Sequence, residues 1–244
     1  AQLLGLDISY YLQSLELDKA RIISERALKT ICYRETQEIH NIWFSIVNME
    51  CMYGTVESFE DAYSRARGFC NKKKIAKHVI DLYQALNQHE NAEKECLLLV
   101  KLYSQSKTVY ITYAKFLALN KRFIEMKQLI RKALQNLPQR KHIQTIVQFS
   151  LLEFKHGDPQ RGSTLIESIL NNFPNRIDIW FVYIDQLVKI SYIDKARCSF
   201  EKVSSLPLKK SKALTVFNKF IKFEEKHGDS NSIAAIHTRI SQLS

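Results

Sequence analysis

The chain has 244 residues, of which 45% are hydrophobic and 25% are charged, and these ordinary proportions argue against a disordered protein. Six glycines and four prolines are too few for the turns of a β-rich or α/β chain, so the composition predicts an almost wholly helical protein. The net charge of +11 raises the expectation of a polyanionic partner, and five cysteines without a CxxC pair are typical of an intracellular, reduced protein.

Two kinds of amphipathic stretch alternate along the chain. The first kind, helix A, is predicted over residues 3–14, 39–53, 75–87, 108–119, 141–156, 176–190 and 211–227. The second kind, helix B, is predicted over residues 18–31, 57–69, 91–104, 122–136, 160–172, 193–205 and 230–243. Large apolar residues mark the A helices at 43, 79, 110, 146, 180 and 217, and their intervals of 36, 31, 36, 34 and 37 residues define a repeat. One hairpin cannot bury its apolar faces alone, so the hairpins are predicted to stack.

Prolines mark the ends of three B helices. The tripeptides NLP, NFP and SLP end at Pro138, Pro174 and Pro207. Because a proline disfavours helix at the residue before it, each tripeptide predicts a helix stop.

A hexapeptide recurs where helix A is predicted to end. Residues 153–158 have the sequence EFKHGD, residues 224–229 have EEKHGD, and ECMYGT at 50–55 is a looser copy. In each copy a glutamate precedes a glycine by four residues, in the pairs Glu50 and Gly54, Glu153 and Gly157, and Glu224 and Gly228. The glycines are predicted to take the left-handed conformation that closes a helix, and the glutamates are expected to pair with Arg or Lys of a neighbouring helix.

A metal site is the alternative interpretation of the hexapeptide. Glu153 and His156 are three residues apart and share a helix face, but no second such pair lies near them in the sequence. The hexapeptide is therefore predicted to be structural, with no metal and no cofactor. Motifs such as GxxxxGK[ST], GxGxxG, HExxH and GxSxG do not occur, so no catalytic residue is predicted and an enzyme is not expected.

Basic residues gather between a B helix and the next A helix. These residues are Lys72, Lys73, Lys74, Lys77, Lys107, Arg140, Lys141, Arg176, Lys209, Lys210 and Lys212. In a solenoid of helical hairpins these junctions lie along one edge, which predicts contact with RNA phosphates or with an acidic protein segment. Lysine is also the ordinary solvated residue of a loop, and the sequence leaves both interpretations open.

The repeat resembles the half-a-TPR (HAT) repeat, which has a WxxY-type helix A and a helix B with an Ala-Arg pair before an aromatic residue and a glutamate. The best match is made by Trp180, Tyr183, Arg197 and Glu201, and the aromatic positions of two other repeats hold Trp43, Tyr110 and Tyr113. The resemblance implies an all-α, right-handed α-α superhelix (solenoid) of about seven hairpins. It further implies a protein-binding scaffold or dimerisation module in an RNA-processing assembly.

Residues 19–54, 131–158 and 175–203 are similar to the C-terminal repeat array of the multi-S1-domain pre-rRNA-processing proteins (the ribosomal RNA processing protein five family). The resemblance implies a nuclear, nucleolar role in small-subunit processome assembly and pre-rRNA processing. Its implied partners are processome proteins, with pre-rRNA as a further candidate, and neither a membrane nor a small-molecule substrate is expected. The alternatives are a direct RNA-binding module that uses the basic edge, and a HAT scaffold of splicing or mRNA 3′-end processing.

The domain organisation is predicted to be simple. Residues 1–244 are expected to form a single HAT-repeat domain, because the repeat runs through the whole chain. The first residue is not Met, which suggests a C-terminal fragment of a longer polypeptide.

Overall fold

A computed structural model describes residues 17–32, 34–228 and 230–242, and all the regular secondary structure within these ranges is helical. The predicted helix over residues 3–14 lies outside the described residues. Within the described part of the chain, none of the helices combines the length and the apolar character that a membrane span requires.

The chain divides into two compact units, residues 1–116 and residues 117–244. The helices of the first unit are α1 (Leu17–Thr30), α2 (Thr36–Tyr53), α3 (Val56–Phe69), α4 (Lys72–Ala85) and α5 (His89–Leu102). Helix α6 (Lys107–Leu119) begins in the first unit and ends in the second. The helices of the second unit are α7 (Phe123–Asn136), α8 (His142–His156), α9 (Pro159–Asn172), α10 (Ile177–Lys189), α11 (Ile193–Ser204), α12 (Lys210–His227) and α13 (Ser230–Ser241). A short 3₁₀ turn (Gln139–Lys141) precedes α8. The prediction of a single domain stays a prediction.

The predicted all-α hairpin architecture is confirmed. The largest differences in helix bounds are at the N-termini of α2 and α4, which begin at Thr36 and Lys72 where residues 39 and 75 were expected. In the first unit α2 packs on α3 and α4 on α5, and in the second unit α8 packs on α9, α10 on α11 and α12 on α13. Within each unit neighbouring hairpins also contact each other, since α2 touches α4 in the first unit and α8 touches α10 in the second. This stacking buries the apolar faces that a single hairpin leaves open.

Each unit has its own apolar core. In the first unit Trp43 is buried among α2, α3 and α4, and its ring stacks on Phe69 with centroids 5.5 Å apart. In the second unit Phe200 of α11 stacks on Phe220 of α12 with centroids 4.8 Å apart and planes within 6°. Tyr183 is buried in the same core. The aromatic positions of the repeat therefore supply packing between helices.

The helix ends follow local sequence signals. Helices α7, α9 and α11 stop at Asn136, Asn172 and Ser204, before the prolines that predicted these stops. Asp158 caps α9 by accepting a hydrogen bond from the Gln160 N–H at 2.9 Å, and Pro159 is the first residue of that helix. A proline is favourable there because its missing N–H has no partner in the first turn.

Three turns between helices A and B use a left-handed residue that is not glycine. The residues are Asn87 (φ 58°), Lys121 (φ 58°) and Ser191 (φ 62°). After Ser191, the Tyr192 N–H donates to the Leu187 carbonyl at 2.8 Å, and the Ser191 N–H donates to the Val188 carbonyl at 3.0 Å. These two bonds form a Schellman motif, which satisfies carbonyls at the end of α10.

Candidate interaction sites

The recurring Glu-xxx-Gly motif ends helices α2, α8 and α12. In each copy the glycine N–H donates to the glutamate carbonyl, at 3.0 Å for Gly54, 2.9 Å for Gly157 and 2.8 Å for Gly228. The three glutamates are buried, with exposed fractions of 6% for Glu50, 2% for Glu153 and 1% for Glu224. A buried carboxylate needs compensating hydrogen bonds or an opposite charge, so the partners of these three residues determine the properties of the turn.

The predicted left-handed conformation of these glycines is wrong. Gly54, Gly157 and Gly228 have φ values of −87°, −117° and −119°. A Cβ atom on these glycines would instead lie 2.3, 2.2 and 1.8 Å from Oε2 of the glutamate four residues earlier. Glycine is needed here because the glutamate side chain folds back over the turn, and no side chain fits beneath it.

Glu50 is held by an arginine of the preceding B helix. Arg21 donates from Nε to Oε1 at 2.7 Å and from Nη2 to Oε2 at 2.8 Å, and the Ser58 hydroxyl donates to Oε2 at 2.6 Å. The Arg21 guanidinium holds the pKa of the Glu50 carboxyl below its ordinary value, although burial opposes this effect. The bidentate geometry fixes the carboxylate over Gly54.

Glu224 has the same arrangement in the last repeat. Arg197 donates from Nε to Oε1 at 2.7 Å and from Nη2 to Oε2 at 3.2 Å, and Nη2 also reaches the His227 carbonyl at 3.1 Å. Arg21 and Arg197 both end a DKAR tetrapeptide, and each is the fifth residue of its helix. The arginine of the same tetrapeptide therefore forms the same ion pair with a buried glutamate in two distant repeats.

Glu153 differs from the other two glutamates. The fifth residue of the preceding helix α7 is Lys127, which is exposed. Among the described residues, Glu153 makes no ion pair, and its carboxylate accepts one hydrogen bond, from the Asp158 N–H to Oε2 at 3.3 Å. Burial raises the pKa of the Glu153 carboxyl above its ordinary value, with the Asp158 N–H opposing this shift.

A cavity of about 210 Å³ lies beside Glu153. Its walls include Met126, Ile130, Phe149 and Leu165, and its charged lining is Glu153, Lys127 and Arg161. The pocket is therefore mainly apolar with one buried carboxylate, a combination that is typical of a ligand site. No sequence motif marks this pocket, and its one sequence signal is Lys127, which replaces the arginine of the DKAR helices.

Three of the five predicted basic residues of the first unit line a second cavity. Lys73, Lys74 and Lys77 line a cavity of about 410 Å³ at the N-terminus of α4, where Asn71 caps the helix. The Lys73 ammonium lies 3.3 Å from the Ser106 hydroxyl and 4.9 Å from the centre of the Tyr103 ring. Lys72 is exposed on the same helix, and Lys107 is the first residue of α6.

The predicted basic residues of the second unit occupy three junctions. Arg140 and Lys141 lie in the 3₁₀ turn, and Lys209, Lys210 and Lys212 are exposed at the start of α12. Arg176 is engaged with Asp178, donating from Nε to Oδ1 at 2.9 Å and from Nη2 to Oδ2 at 2.7 Å. Part of its charge is therefore neutralised within the chain.

The remaining repeat positions have structural contacts. Tyr110, Tyr113 and Trp180 are buried, and Glu201 pairs with Arg239 of α13 at 2.6 Å on the surface. Within the described ranges, no three His, Cys, Asp or Glu side chains form a group that could hold a metal ion.

Comparisons with known proteins give one family and several relatives. A family model described as Suppressor of forked protein (Suf) matches residues 73–244. Protein RRP5 homolog of Mus musculus is 33% identical over 232 residues, covering 95% of this chain and 12% of that protein. The rRNA biogenesis protein rrp5 of Schizosaccharomyces pombe is 33% identical over 232 residues, covering 95% of this chain and 14% of that protein. The chain therefore spans only 12% to 14% of the length of these relatives.

One similar solved structure is a tetratricopeptide repeat protein from Parabacteroides merdae. It aligns with a TM-score of 0.44 and 12% sequence identity, and the alignment covers 100% of this chain and 93% of that chain.

Proposed function

The chain belongs to the family of the suppressor of forked protein (Suf), a family of HAT-repeat proteins, and from this premise we propose that it is a non-enzymatic protein-interaction scaffold in ribosome biogenesis. The proposed process is small-subunit processome assembly and pre-rRNA processing, in the nucleus and nucleolus, with processome proteins as partners. The observation that carries the proposal is the 33% identity to the rRNA biogenesis protein rrp5 of Schizosaccharomyces pombe over 95% of the chain.

The architecture supports a scaffold. Stacked helical hairpins create extended surfaces, and contact between neighbouring hairpins keeps these surfaces in place. Around the turn between α2 and α3, Met52, Tyr53 and Val56 expose large side chains, with Val56 72% exposed. A group of exposed apolar residues of this kind favours contact with another protein.

The two buried cysteines, Cys70 and Cys96, are not candidate nucleophiles. Burial raises the pKa of the Cys70 thiol to about 11, and it also raises the pKa of the Cys96 thiol. Because the thiolate is the reactive form, neither group is prepared for nucleophilic chemistry at neutral pH. Both side chains act as small apolar core residues.

Two alternative functions are a scaffold of mRNA processing and a direct RNA-binding module. A scaffold of splicing or mRNA 3′-end processing is not favoured, since relatives that match over 95% of this chain are named for rRNA biogenesis. Direct contact with pre-rRNA stays a proposal for the basic residues, and the cavity lined by Lys73, Lys74 and Lys77 is the feature that supports it.

The scaffold proposal is tested in cells depleted of the endogenous protein. These cells would be complemented with the protein either intact or lacking residues 73–244, the range of the family match. We expect the truncated form to accumulate unprocessed pre-rRNA on northern blots and to lose processome proteins in quantitative affinity purification. Normal pre-rRNA together with unchanged recovery of processome proteins contradicts the proposal.

A further inference from the structure

The chain contains its own examples of how the Glu-xxx-Gly turn binds a guanidinium group. Arg21 and Arg197 each lie against a buried glutamate, with Nε and Nη2 facing the two carboxylate oxygens. The planar guanidinium suits this task because its donors match the carboxylate oxygens and because it is less strongly hydrated than an ammonium group. The two pairs define the ligand chemistry that this type of turn accepts.

The turn at Glu153 has the same carboxylate without the arginine. Lys127 occupies the fifth position of the preceding helix, and its side chain is exposed. The carboxylate of Glu153 is as buried as that of Glu224, yet within the described ranges its hydrogen bond from the Asp158 N–H at 3.3 Å is not matched by an ion pair. A buried charge with so little compensation is costly unless a partner supplies the missing donors.

The space beside Glu153 suits the stem of an arginine. The cavity of about 210 Å³ is much larger than the roughly 30 Å³ that one liquid water molecule occupies. Ile130, Phe149 and Leu165 offer apolar walls for methylene groups and for the face of a guanidinium. A divalent metal ion fits poorly here, because such ions require several oxygen ligands and this site offers one carboxylate.

The charges around the cavity add a further requirement. Lys127 and Arg161 belong to the lining, and Arg161 is only partly compensated by Asp158, with Nε to Oδ2 at 3.8 Å. A lone cation approaching the cavity meets these positive charges, whereas an arginine with an acidic neighbour is complementary to both the carboxylate and the basic residues.

We propose that the cavity beside Glu153 binds an arginine side chain of a partner protein, supplied by a segment in which an acidic residue adjoins the arginine. The partner's guanidinium occupies the position that Arg21 and Arg197 occupy at their own glutamates, and the acidic residue faces Lys127 and Arg161. This inference deepens the proposed scaffold function and rests on it, because it names the chemistry of one partner segment.

The test uses a capped Arg-Asp peptide, with Lys-Asp and citrulline-Asp peptides as matched probes. Titrations of the 244-residue chain would be followed by NMR on the methyl groups of Ile130 and Leu165 and on the carboxyl carbons of labelled glutamates. We expect saturable shifts at both methyl groups and at Glu153 with the arginine peptide. The lysine peptide should bind at least about fivefold more weakly, because its compact ammonium loses more hydration and cannot form the bidentate pair. Glu50 and Glu224 should not respond, since their own arginines hold them.

Two variants decide the outcome. Lys127→Arg should form the internal ion pair and weaken peptide binding at least tenfold, and Glu153→Gln should weaken it by a similar factor. Circular dichroism checks folding, and if Glu153→Gln fails to fold, Lys127→Arg alone decides. The proposal is overturned if the citrulline peptide binds as tightly as the arginine peptide. It is also overturned if the Lys127→Arg variant binds the arginine peptide with less than a tenfold loss of affinity.

These results are separable from the test of the proposed function. If the peptide does not bind while pre-rRNA processing still requires residues 73–244, only the arginine site is wrong. If the peptide binds but pre-rRNA processing is normal without those residues, the ribosomal role is wrong.

Discussion

Arg197 donates two hydrogen bonds to the carboxylate of Glu224, from Nε to Oε1 at 2.7 Å and from Nη2 to Oε2 at 3.2 Å. The carboxylate is 1% exposed whereas the arginine side chain is 36% exposed. The pair therefore joins α11 to the end of α12 with one partner desolvated and the other partly in water. Its energetic importance lies in the compensation of the buried charge rather than in simple attraction.

Replacing this arginine should destabilise the fold. Arg197→Ala leaves Glu224 buried without its cation, and we expect a loss of about 2 to 3 kcal/mol in the free energy of unfolding, less than for a fully buried pair because Arg197 is partly exposed. Urea unfolding followed by circular dichroism measures the loss. The control is Arg239→Ala, which breaks the surface pair with Glu201 (2.6 Å, with both side chains nearly half exposed) and should cost less than about 1 kcal/mol. Equal losses for the two variants contradict this explanation.

The glycine of the motif should tolerate no side chain while the glutamate is present. The Cβ of Gly228→Ala would lie 1.8 Å from Oε2 of Glu224, so the carboxylate must leave Arg197, and we expect a loss of about 1 to 3 kcal/mol. In a Glu224→Ala background the same change should cost little, and this non-additivity is measurable by a double-mutant cycle. Gly68→Ala is the control, because no atom lies within 4 Å of its added Cβ. Alanine is the better helix former, so this change should raise the free energy of unfolding by about 0.5 to 1 kcal/mol.

The left-handed turns should respond to glycine in the opposite direction. Ser191 has φ 62°, where an L-residue is strained, so Ser191→Gly should raise the free energy of unfolding by about 0.5 to 1 kcal/mol. Asn87→Gly should raise the free energy of unfolding by less, because asparagine tolerates the left-handed conformation better than serine does. Ser205 has φ −84°, and Ser205→Gly should therefore destabilise the protein. Thermal unfolding ranks the stabilities of the three variants. If Ser205→Gly stabilises the protein as much as Ser191→Gly does, the positive φ of Ser191 is not the cause of the stabilisation.

The buried glutamates Glu153 and Glu50 should give opposite pH dependences. The pKa of Glu153 is raised above its ordinary value of 4.5 by burial, so the folded state binds its proton more tightly than the unfolded state does. Its contribution to stability is present at low pH and is lost as the pH rises through the folded pKa. Glu153→Gln should therefore flatten the decline of stability above pH 4.5 and be neutral or stabilising at pH 7.

Glu50 provides the matched control for this pH dependence. Its pKa is lowered by Arg21, so its contribution is present above the ordinary pKa of 4.5 and is lost as the pH falls through the folded value. Glu50→Gln should be destabilising at pH 7 and progressively less so on acidification. Urea unfolding between pH 3 and 7 measures the free energy of unfolding of both variants relative to the unchanged protein. If this difference varies with pH in the same way for both variants, Glu153 and Glu50 do not have opposite pKa shifts.

The basic cavity of the first unit should matter for any contact with RNA. Reversal of Lys73, Lys74 and Lys77 to Glu should weaken binding to single-stranded pre-rRNA and reduce the slope of log K against log salt by about 2, if each lysine contacts one phosphate. Filter binding across a salt series measures both quantities. Reversal of Lys29, Lys94 and Lys101, which are exposed on B helices of the same unit, changes the net charge equally and should have a smaller effect. Equal effects of the two triple variants indicate that only net charge matters.

Much of the fold follows from local signals. The helix bounds are predictable because apolar periodicity, prolines such as Pro138 and Pro174, and the Glu-xxx-Gly motif all act over a few residues. The conformation of Gly54, Gly157 and Gly228 is not predictable in this way. A glycine in a sequence can indicate either a positive φ or a close approach of another group. At these three positions the cause is the glutamate side chain that folds over the glycine, and φ is not positive.

The sequence by itself determined the period, the helical hairpins and the resemblance to HAT proteins, since these depend on residues close together in the chain. Only the tertiary structure decided which glutamate is paired. Arg21 reaches Glu50 across 29 residues and Arg197 reaches Glu224 across 27, whereas Glu153 is left beside Lys127 and a cavity. EFKHGD and EEKHGD are nearly identical as sequences, and their glutamates have different partners because the side chain that faces each carboxylate comes from another helix, whose position only packing determines.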